Sequence, residues 1–243
     1  MKQTIFTITE NVALTSTVYK MVLAGDTAGI TTGQFVNILL EGLYLRRPIS
    51  VCDCQGDTLT LVYKVVGKGT AQMSAMQAGQ TLDVLTGLGN GYDVSKAGDH
   101  PLLLGGGVGV PPLYMLARRL REQGKTVSVV LGFNTADEVF YEQEFKALGC
   151  DVTVTTADGS HGVKGFVTDA LPADYTYFYT CGPEPMLKAV YKATATAGQF
   201  SFEERMGCGF GACMGCSCKV ITGYKRICKD GPVLEKEEIL WDA

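Results

Sequence analysis

The chain has 243 residues, room for two domains of ordinary size and a small appendage. At 46% hydrophobic and 19% charged it fits a globular protein with a sizeable core, and its net charge of −4 leaves no basic excess to track a nucleic-acid backbone. Residues 1–10 lack the apolar core of a signal peptide and no apolar run reaches bilayer-spanning length, so the expected location is cytoplasmic, without membrane or nucleic-acid partners.

Residues 1–97 carry short β-type runs at 18–23, 34–40, 48–52, 58–66 and 81–85, separated by glycine and polar turns, with one helix predicted over 70–78. Strands so short and closely spaced predict an antiparallel β-barrel. The pattern changes at His100. An apolar strand over 101–105 runs into glycines and a helix over 111–123. Strands at 126–132, 151–155 and 176–180 then alternate with helices at 140–148, 165–171 and 185–197. That alternation requires a parallel sheet with crossover helices on both faces. A third unit begins near Ser201. The expected organisation is α+β and multidomain: 1–97, 98–200 and 201–243.

Five of the nine cysteines fall within 208–228. Cys208, Cys213 and Cys216 form a C-x4-C-x2-C run with Cys228 further on, the ligand spacing of a plant-type [2Fe–2S] cluster. Cys218 competes for the fourth position, but would leave one residue to turn the chain after Cys216. Zinc is the other occupant of a cysteine quartet. In a reducing compartment such clustering favours metal ligation over disulfides. Cys52, Cys54 and Cys150 lie in strand-like apolar surroundings and are expected to be small buried hydrophobes.

The turn Gly105, Gly106, Gly107, Val108 and Gly109 follows a strand and opens a helix, where backbone N–H groups and the helix dipole favour an anion. It is not a clean dinucleotide fingerprint, and a tight structural turn is the competing explanation. Cys181, Gly182 and Pro183 end a later strand of the same sheet. Ligands of such sheets bind outside the carboxyl ends of strands, so both glycine-bearing ends are expected to share one crevice. Cys181 there serves either a nicotinamide ring or packing. In the β-rich half, Arg47 with Ser50, and Gly69 with Thr70 ahead of a helix, are candidate phosphate contacts, or else a surface arginine and a loop.

In this order and spacing the segments Arg46 to Ser50, Gly105 to Pro112, Glu204 to Cys213 and Cys228 to Val233 resemble the ferredoxin-reductase-like flavoproteins. With the C-terminal cysteines, the whole chain resembles the electron-transfer subunits of the two-subunit, NAD-dependent (class 1B) dihydroorotate dehydrogenases. The resemblance implies an FAD-binding barrel, an NAD-binding α/β domain and a small [2Fe–2S] domain. It implies flavin contacts at Arg47, Pro48, Ile49, Ser50, Val62, Tyr63, Lys64, Gly69 and Thr70, and cluster ligation by Cys208, Cys213, Cys216 and Cys228. NAD(H) is expected at Gly105, Gly106, Gly107, Val108, Gly109, Cys181, Gly182 and Pro183.

A hydride carries two electrons and a [2Fe–2S] cluster takes one, so a flavin between them is chemically required. No catalytic acid–base pair is expected; His100 and His161 are the only histidines. Asp137 or Glu138, with no arginine near, disfavours a 2′-phosphate and so favours NADH, although both are equally ordinary residues before a helix. The implied partner is an FMN-containing catalytic subunit in a heterotetramer of two copies each, oxidising dihydroorotate in pyrimidine (UMP) biosynthesis. Met206, Phe210 and Met214 are the expected docking surface, with packing of Phe210 and Met214 onto the cluster loop the equal alternative. Two alternatives stay open: the small flavin subunit of a ferredoxin:NADP oxidoreductase or sulfhydrogenase, and a zinc-stabilised regulatory module on a degenerate reductase scaffold.

Overall fold

The structure, a computed structural model, describes residues 1–241, so the last two residues of the expected third unit lie outside it. Six antiparallel strands close a barrel: β1 (Lys2–Ala13), β2 (Val18–Ala24), β3 (Phe35–Leu39), β4 (Arg47–Gln55), β5 (Thr58–Lys64) and β6 (Thr81–Leu88), in the order β1-β2-β5-β4-β3-β6. Alternate residues point inward, as in Leu82 and Val84 of β6. Phe6, Met21, Val36, Ile38, Val51, Leu59 and Leu61 fill the interior.

The longest strand, β1, was not among the predicted elements. Only Phe6 and Ile8 of its residues are buried, while Ile5 and Val12 are exposed, so its apolar periodicity is weak. Its place comes from pairing with β2 and β6, which closes the barrel and removes both edges. Helix α1 (Lys68–Ser74) starts two residues before the expected helix and ends four before its end.

The next part is a parallel sheet of β7 (Pro101–Gly106), β8 (Ser128–Phe133), β9 (Asp151–Thr156), β10 (Val163–Lys164), β11 (Tyr177–Cys181) and β12 (Gly198–Ser201), with α2 (Tyr114–Glu122), α3 (Glu142–Ala147) and α4 (Glu184–Ala193) between strands. Every residue of β7, β11 and β12 is buried, as expected of a sheet covered on both faces. The strand order β9-β8-β7-β11-β12 reverses direction between β7 and β11, creating a switch point at their carboxyl ends.

Several helices are shorter than the sequence suggested. Pro111–Leu113 forms a 3-10 turn, and the α-helix begins only at Tyr114. The segment expected to be helical over 165–171 is a 3-10 turn at Val167–Ala170. Helix α4 stops at Ala193, and strand β12, also unpredicted, takes up the chain at Gly198.

The C-terminal segment forms a hairpin of β13 (Ser217–Val220) and β14 (Gly223–Arg226), then β15 (Val233–Glu235). β15 runs antiparallel to β12 and completes the seven-stranded sheet. The same segment covers the barrel: Cys216, Val220, Ile227, Cys228 and Leu234 share one apolar cluster with Phe35 and Leu88. It therefore touches both larger units.

Candidate cofactor-binding sites

The cysteine loop is shaped by its glycines. Gly209 and Gly211 have φ of +76° and +93°, where a side chain is strained. The loop brings backbone amides onto sulfur. Cys208 Sγ accepts from Ala212 N and Cys213 N at 3.2 and 3.4 Å, and Cys213 Sγ accepts from Cys208 N and Gly215 N at 3.5 Å. Cys216 Sγ accepts from Cys228 N at 3.4 Å. The four thiols thus come as two pairs, Cys208 with Cys213 and Cys216 with Cys228. Among the described residues no three Cys, His, Asp or Glu side chains converge on one point. Two thiolates on each of two irons fit paired thiols.

The pairs differ in exposure. Cys216 and Cys228 are each 1% exposed against the barrel wall, whereas Cys208 is half-buried and Cys213 exposed. Partial burial opposes ionisation of Cys208, but the Phe210, Cys213 and Ala212 amides and the Cys213 side chain outweigh it and bring the thiol down to about 6. Burial, then the neighbouring Cys216, pushes Cys228 up to about 12. Cys218 sits in β13 opposite Lys225, and its sulfur takes no part in the hydrogen bonds that pair the other four. Of the expected docking residues, Phe210 and Met214 are 44% and 55% exposed, while Met206 packs partly against the barrel-side cluster.

On the barrel, the two arginines at the start of β4 divide. Arg46 is committed to Asp83 at 2.9 Å and to the carbonyls of Asn37 and Asp83. Arg47 bonds only the carbonyls of Leu45 and Arg46, with no acidic partner among the described residues, and its stem lies across Gly69. A Cβ on Gly69 would stand 2.2 Å from Arg47 Nε, so with glycine there the arginine stem lies close against the backbone. An unpaired guanidinium against glycine at the start of a helix is a suitable cradle for a diphosphate. The Thr70 hydroxyl is already used locally, accepting from Val66 N at 2.9 Å and Gly67 N at 3.3 Å.

Pro48 and Ser50 alternate with Ile49, which packs on the barrel core. Val62 faces the nucleotide domain, and Lys64 is exposed. Tyr63 points inward instead: its hydroxyl donates to Asn11 at 3.0 Å and its ring stacks 6.0 Å from Tyr19. Only its main chain is left for an outside ligand.

At the switch point Cys181 is registered with Gly105, so the two glycine-bearing strand ends do meet. Their glycines serve different ends. A Cβ on Gly109 would lie 2.3 Å from the Cys181 carbonyl, and one on Gly106 2.3 Å from Met186 Sδ. These two glycines let the chain pack on itself. Gly107, with φ +51° and nothing within 4 Å of a Cβ, faces open space and leaves its backbone accessible. Cys181 is 2% exposed, and burial, with Glu203 near, pushes its thiol up to about 12. A cavity of about 300 Å³ opens beside this strand end, lined by Gly182, Pro183, Phe202, Glu203, Cys218 and Trp241. A larger groove of about 520 Å³, between the end of β3, α1 and the start of β6, contains none of the expected site residues.

Glu138 is held by Asn134, whose backbone N and Nδ2 donate to it at 3.1 and 2.8 Å, at the end of β8. Asn37, absent from the sequence expectations, bridges the barrel and the cysteine loop through Nδ2 to Cys208 O at 3.3 Å. A lone asparagine in an apolar strand was the only sequence signal for it.

Comparison with known proteins agrees with this geometry. Residues 203–240 match the iron–sulfur cluster binding domain of dihydroorotate dehydrogenase B, and residues 103–192 match an oxidoreductase NAD-binding domain. The chain is similar to a dihydroorotate dehydrogenase B (NAD(+)) electron transfer subunit from Geobacillus sp. (strain WCH70), 42% identical over 99% of each chain. A subunit of the same name from Fusobacterium nucleatum is 46% identical over 93% of this chain and 94% of its own. A solved structure of an NADH-dependent reduced ferredoxin-NADP oxidoreductase superposes with a TM-score of 0.89 at 32% identity, covering 98% of this chain and 90% of that chain. The ferredoxin NADP+ reductase from Neisseria gonorrhoeae with bound FAD and NADP, 19% identical with a TM-score of 0.69 over 79% of this chain and 90% of its own, shares the fold. With a closed barrel, a parallel nucleotide-type sheet and a paired-cysteine loop, the chain belongs to the family of dihydroorotate dehydrogenase B electron transfer subunits.

Proposed function

We propose that this chain is the oxidoreductase subunit that carries electrons between NAD(H) and a catalytic partner oxidising dihydroorotate, a step of pyrimidine (UMP) biosynthesis. The observation that carries the reading is the position of the paired cysteines. One pair is buried on the outer wall of the barrel whose β4 bears the arginine cradle, and the other opens to solvent. When bound, FAD supplies the exchange between a hydride's electron pair and single electrons, and a [2Fe–2S] cluster supplies a one-electron relay.

The residues divide the work. Arg47 and the backbone at Gly69 and Thr70 hold the flavin diphosphate, while Pro48, Ile49, Ser50 and the strand Val62, Tyr63 and Lys64 form the wall beneath the ring. Cys208, Cys213, Cys216 and Cys228 ligate the cluster, and the amides on Cys208 favour its thiolate. Gly107 and Val108, at the switch point, admit the pyrophosphate of NAD(H). Gly105, Gly106, Gly109 and the 181–183 strand end, Cys181, Gly182 and Pro183, shape the crevice. Glu138 beyond β8, with Asp137, favours a free ribose hydroxyl over a 2′-phosphate. No side chain is assigned as a catalytic acid or base.

The units 1–97, 98–200 and 201–243 correspond to flavin, nucleotide and cluster functions. The solvent-facing pair, flanked by exposed Phe210 and Met214, is the docking side for an FMN-containing catalytic subunit in a heterotetramer of two copies each. No helix among the described residues is long and apolar enough to cross a membrane, and a cytoplasmic setting suits the ligand thiols. The test is iron, acid-labile sulfide and flavin content per chain, followed by mixing with a dihydroorotate dehydrogenase catalytic subunit and NAD+. NAD+-dependent dihydroorotate oxidation supports the proposal. Filled cofactor sites without coupling to that partner favour the ferredoxin:NADP oxidoreductase or sulfhydrogenase reading, the first of which the 0.89 TM-score likeness supports.

A further inference from the structure

Inside strand β3, Val36 and Ile38 point into the barrel, so Phe35 and Asn37 point outward. The cysteine segment covers that outer face. Phe35 packs in the same apolar cluster as Cys216 and Cys228. Asn37 is 1% exposed, and its Nδ2 donates to the carbonyl of Cys208 at 3.3 Å. Among the described residues this is the only side-chain hydrogen bond between a barrel strand and the 204–216 loop. The approach is close: a Cβ on Gly209 would stand 2.3 Å from Asn37 Nδ2. Across the sheet Asn37 is registered with Pro48, in the wall assigned above to the flavin. Its own carbonyl accepts from Arg46 at 3.3 Å.

Asn37 is an odd choice for a packing role. Its Oδ1 is buried and has no hydrogen-bond partner among the described residues. The Cys208 carbonyl, as an acceptor, fixes which end of the carboxamide faces the loop, so exchanging O and N does not remove the orphan. An apolar residue of similar volume would fill the site without burying an unpaired acceptor. We propose that Asn37 is a positioning residue for electron transfer, its carboxamide fixing the Cys208–Gly209 peptide against the flavin-bearing wall. The inference rests on the flavin and cluster assignments above. Passage of one electron between the two sites makes and breaks no bond, so separation and the intervening contacts are what the protein can set. Asn37 controls both, because it ties a ligand-bearing peptide directly to a strand registered with Pro48.

The test uses the purified holoprotein and two variants, Asn37→Leu and Asn37→Asp. Asn37→Leu removes donor and acceptor at similar volume; Asn37→Asp keeps the shape and replaces the donor. Iron and flavin content are measured first, then bleaching of the flavin by NADH, then the rate and line shape of the reduced-cluster signal by freeze-quench electron paramagnetic resonance. Both variants are expected to keep parent cofactor content, with flavin reduction within about twofold of parent and cluster reduction slowed about tenfold or more. An altered resonance line shape is also expected, a signature that mere fold support would leave unmoved. Parent-like cluster reduction and line shape in filled Asn37→Leu overturn the inference. If Asn37→Leu loses cofactor, Asn37→Asp decides: slowed transfer with full content supports the inference, and parent rates overturn it. Absence of flavin and iron from the unsubstituted protein would instead overturn the assignments beneath it.

Discussion

Arg118 of α2 donates through Nη2 and Nε to one carboxylate oxygen of Asp53 in β4, at 2.7 and 3.2 Å, and so fastens the nucleotide domain to the barrel. A bulge makes the contact. The β4–β5 register slips between Val51 and Asp53, so Cys52 and Asp53, though consecutive, both face outward while Val51 and Cys54 pack on the barrel core. Cys52 Sγ lies 3.2 Å from the Tyr141 hydroxyl, and Tyr141 takes a left-handed φ of 67°. β4 therefore carries the arginine cradle at one end and both fastenings at the other. α2 follows the glycine turn through the 3-10 turn at Pro111–Leu113.

Asp53→Ala is expected to cost about 3 kcal/mol, because Arg118, 12% exposed, would lose its main partner. The paired change Asp53→Leu with Arg118→Met should recover much of that loss, since it removes both charges. Urea unfolding of the parent, Asp53→Leu, Arg118→Met and the paired variant, four proteins in a double-mutant cycle, measures the coupling. Because the pair also sets domain alignment, Asp53→Ala should slow flavin reduction by NADH more than its stability loss explains.

Cys213→Ser should abolish the iron–sulfur absorbance and leave flavin bound, because Cys213 is exposed and remote from Arg47 in the chain. Cys218→Ser should retain iron, since that sulfur lies outside the two thiol pairs. Visible spectra and metal analysis check both. Loss of flavin together with iron in Cys213→Ser would contradict separate sites.

Two glycines in one turn should behave differently. Gly109→Ala drives a methyl to 2.3 Å from the Cys181 carbonyl, a backbone clash that should part the ends of β7 and β11 and cost about 1–3 kcal/mol. Gly107→Ala meets no atom and carries only the strain of φ +51°, about 1–2 kcal/mol. Thermal unfolding and the KM for NADH together separate them, with Gly109→Ala the worse in stability and Gly107→Ala the worse in KM, since its methyl would stand where the pyrophosphate approaches.

Asp83 ties β6 to β3 and β4 through Arg46. Partial burial works against its ionised form, but the Arg46 and Gln3 hydrogen bonds outweigh it and hold the carboxyl below its ordinary value. A depressed carboxyl contributes stability fully above its unfolded pKa, about 3.9, and loses it as pH falls through the folded value. Asp83→Asn should therefore destabilise the protein at neutral pH, and the gap from parent should close below about pH 4. Chemical unfolding across that range is the check; a gap independent of pH would refute it.

The segments to which cofactors are assigned stand out in the sequence because their signals are local. The C-x4-C-x2-C spacing, the glycines after the first strand of the sheet and the Arg47-to-Ser50 run each depend on neighbours in sequence. The barrel and the parallel sheet were legible from the change of period at His100. Strand β1 was not, because it buries only two apolar side chains and earns its place by pairing with strands at both ends of the barrel. The inward turn of Tyr63 and the local use of the Thr70 hydroxyl were equally invisible, since each follows from a partner elsewhere in the fold or from a loop's closure.

The amino-acid order alone therefore determined which cofactor chemistries this protein is built for, because ligand spacing and backbone freedom are properties of short segments. Tertiary structure decided how those sites are related. It set the Cys216–Cys228 pair on the barrel wall, Cys181 beside Gly105, Asn37 against the Cys208 peptide and β15 in a sheet begun by β7. Those relations depend on pairing register and on which faces are buried together, and both are settled by contacts between residues far apart in the chain.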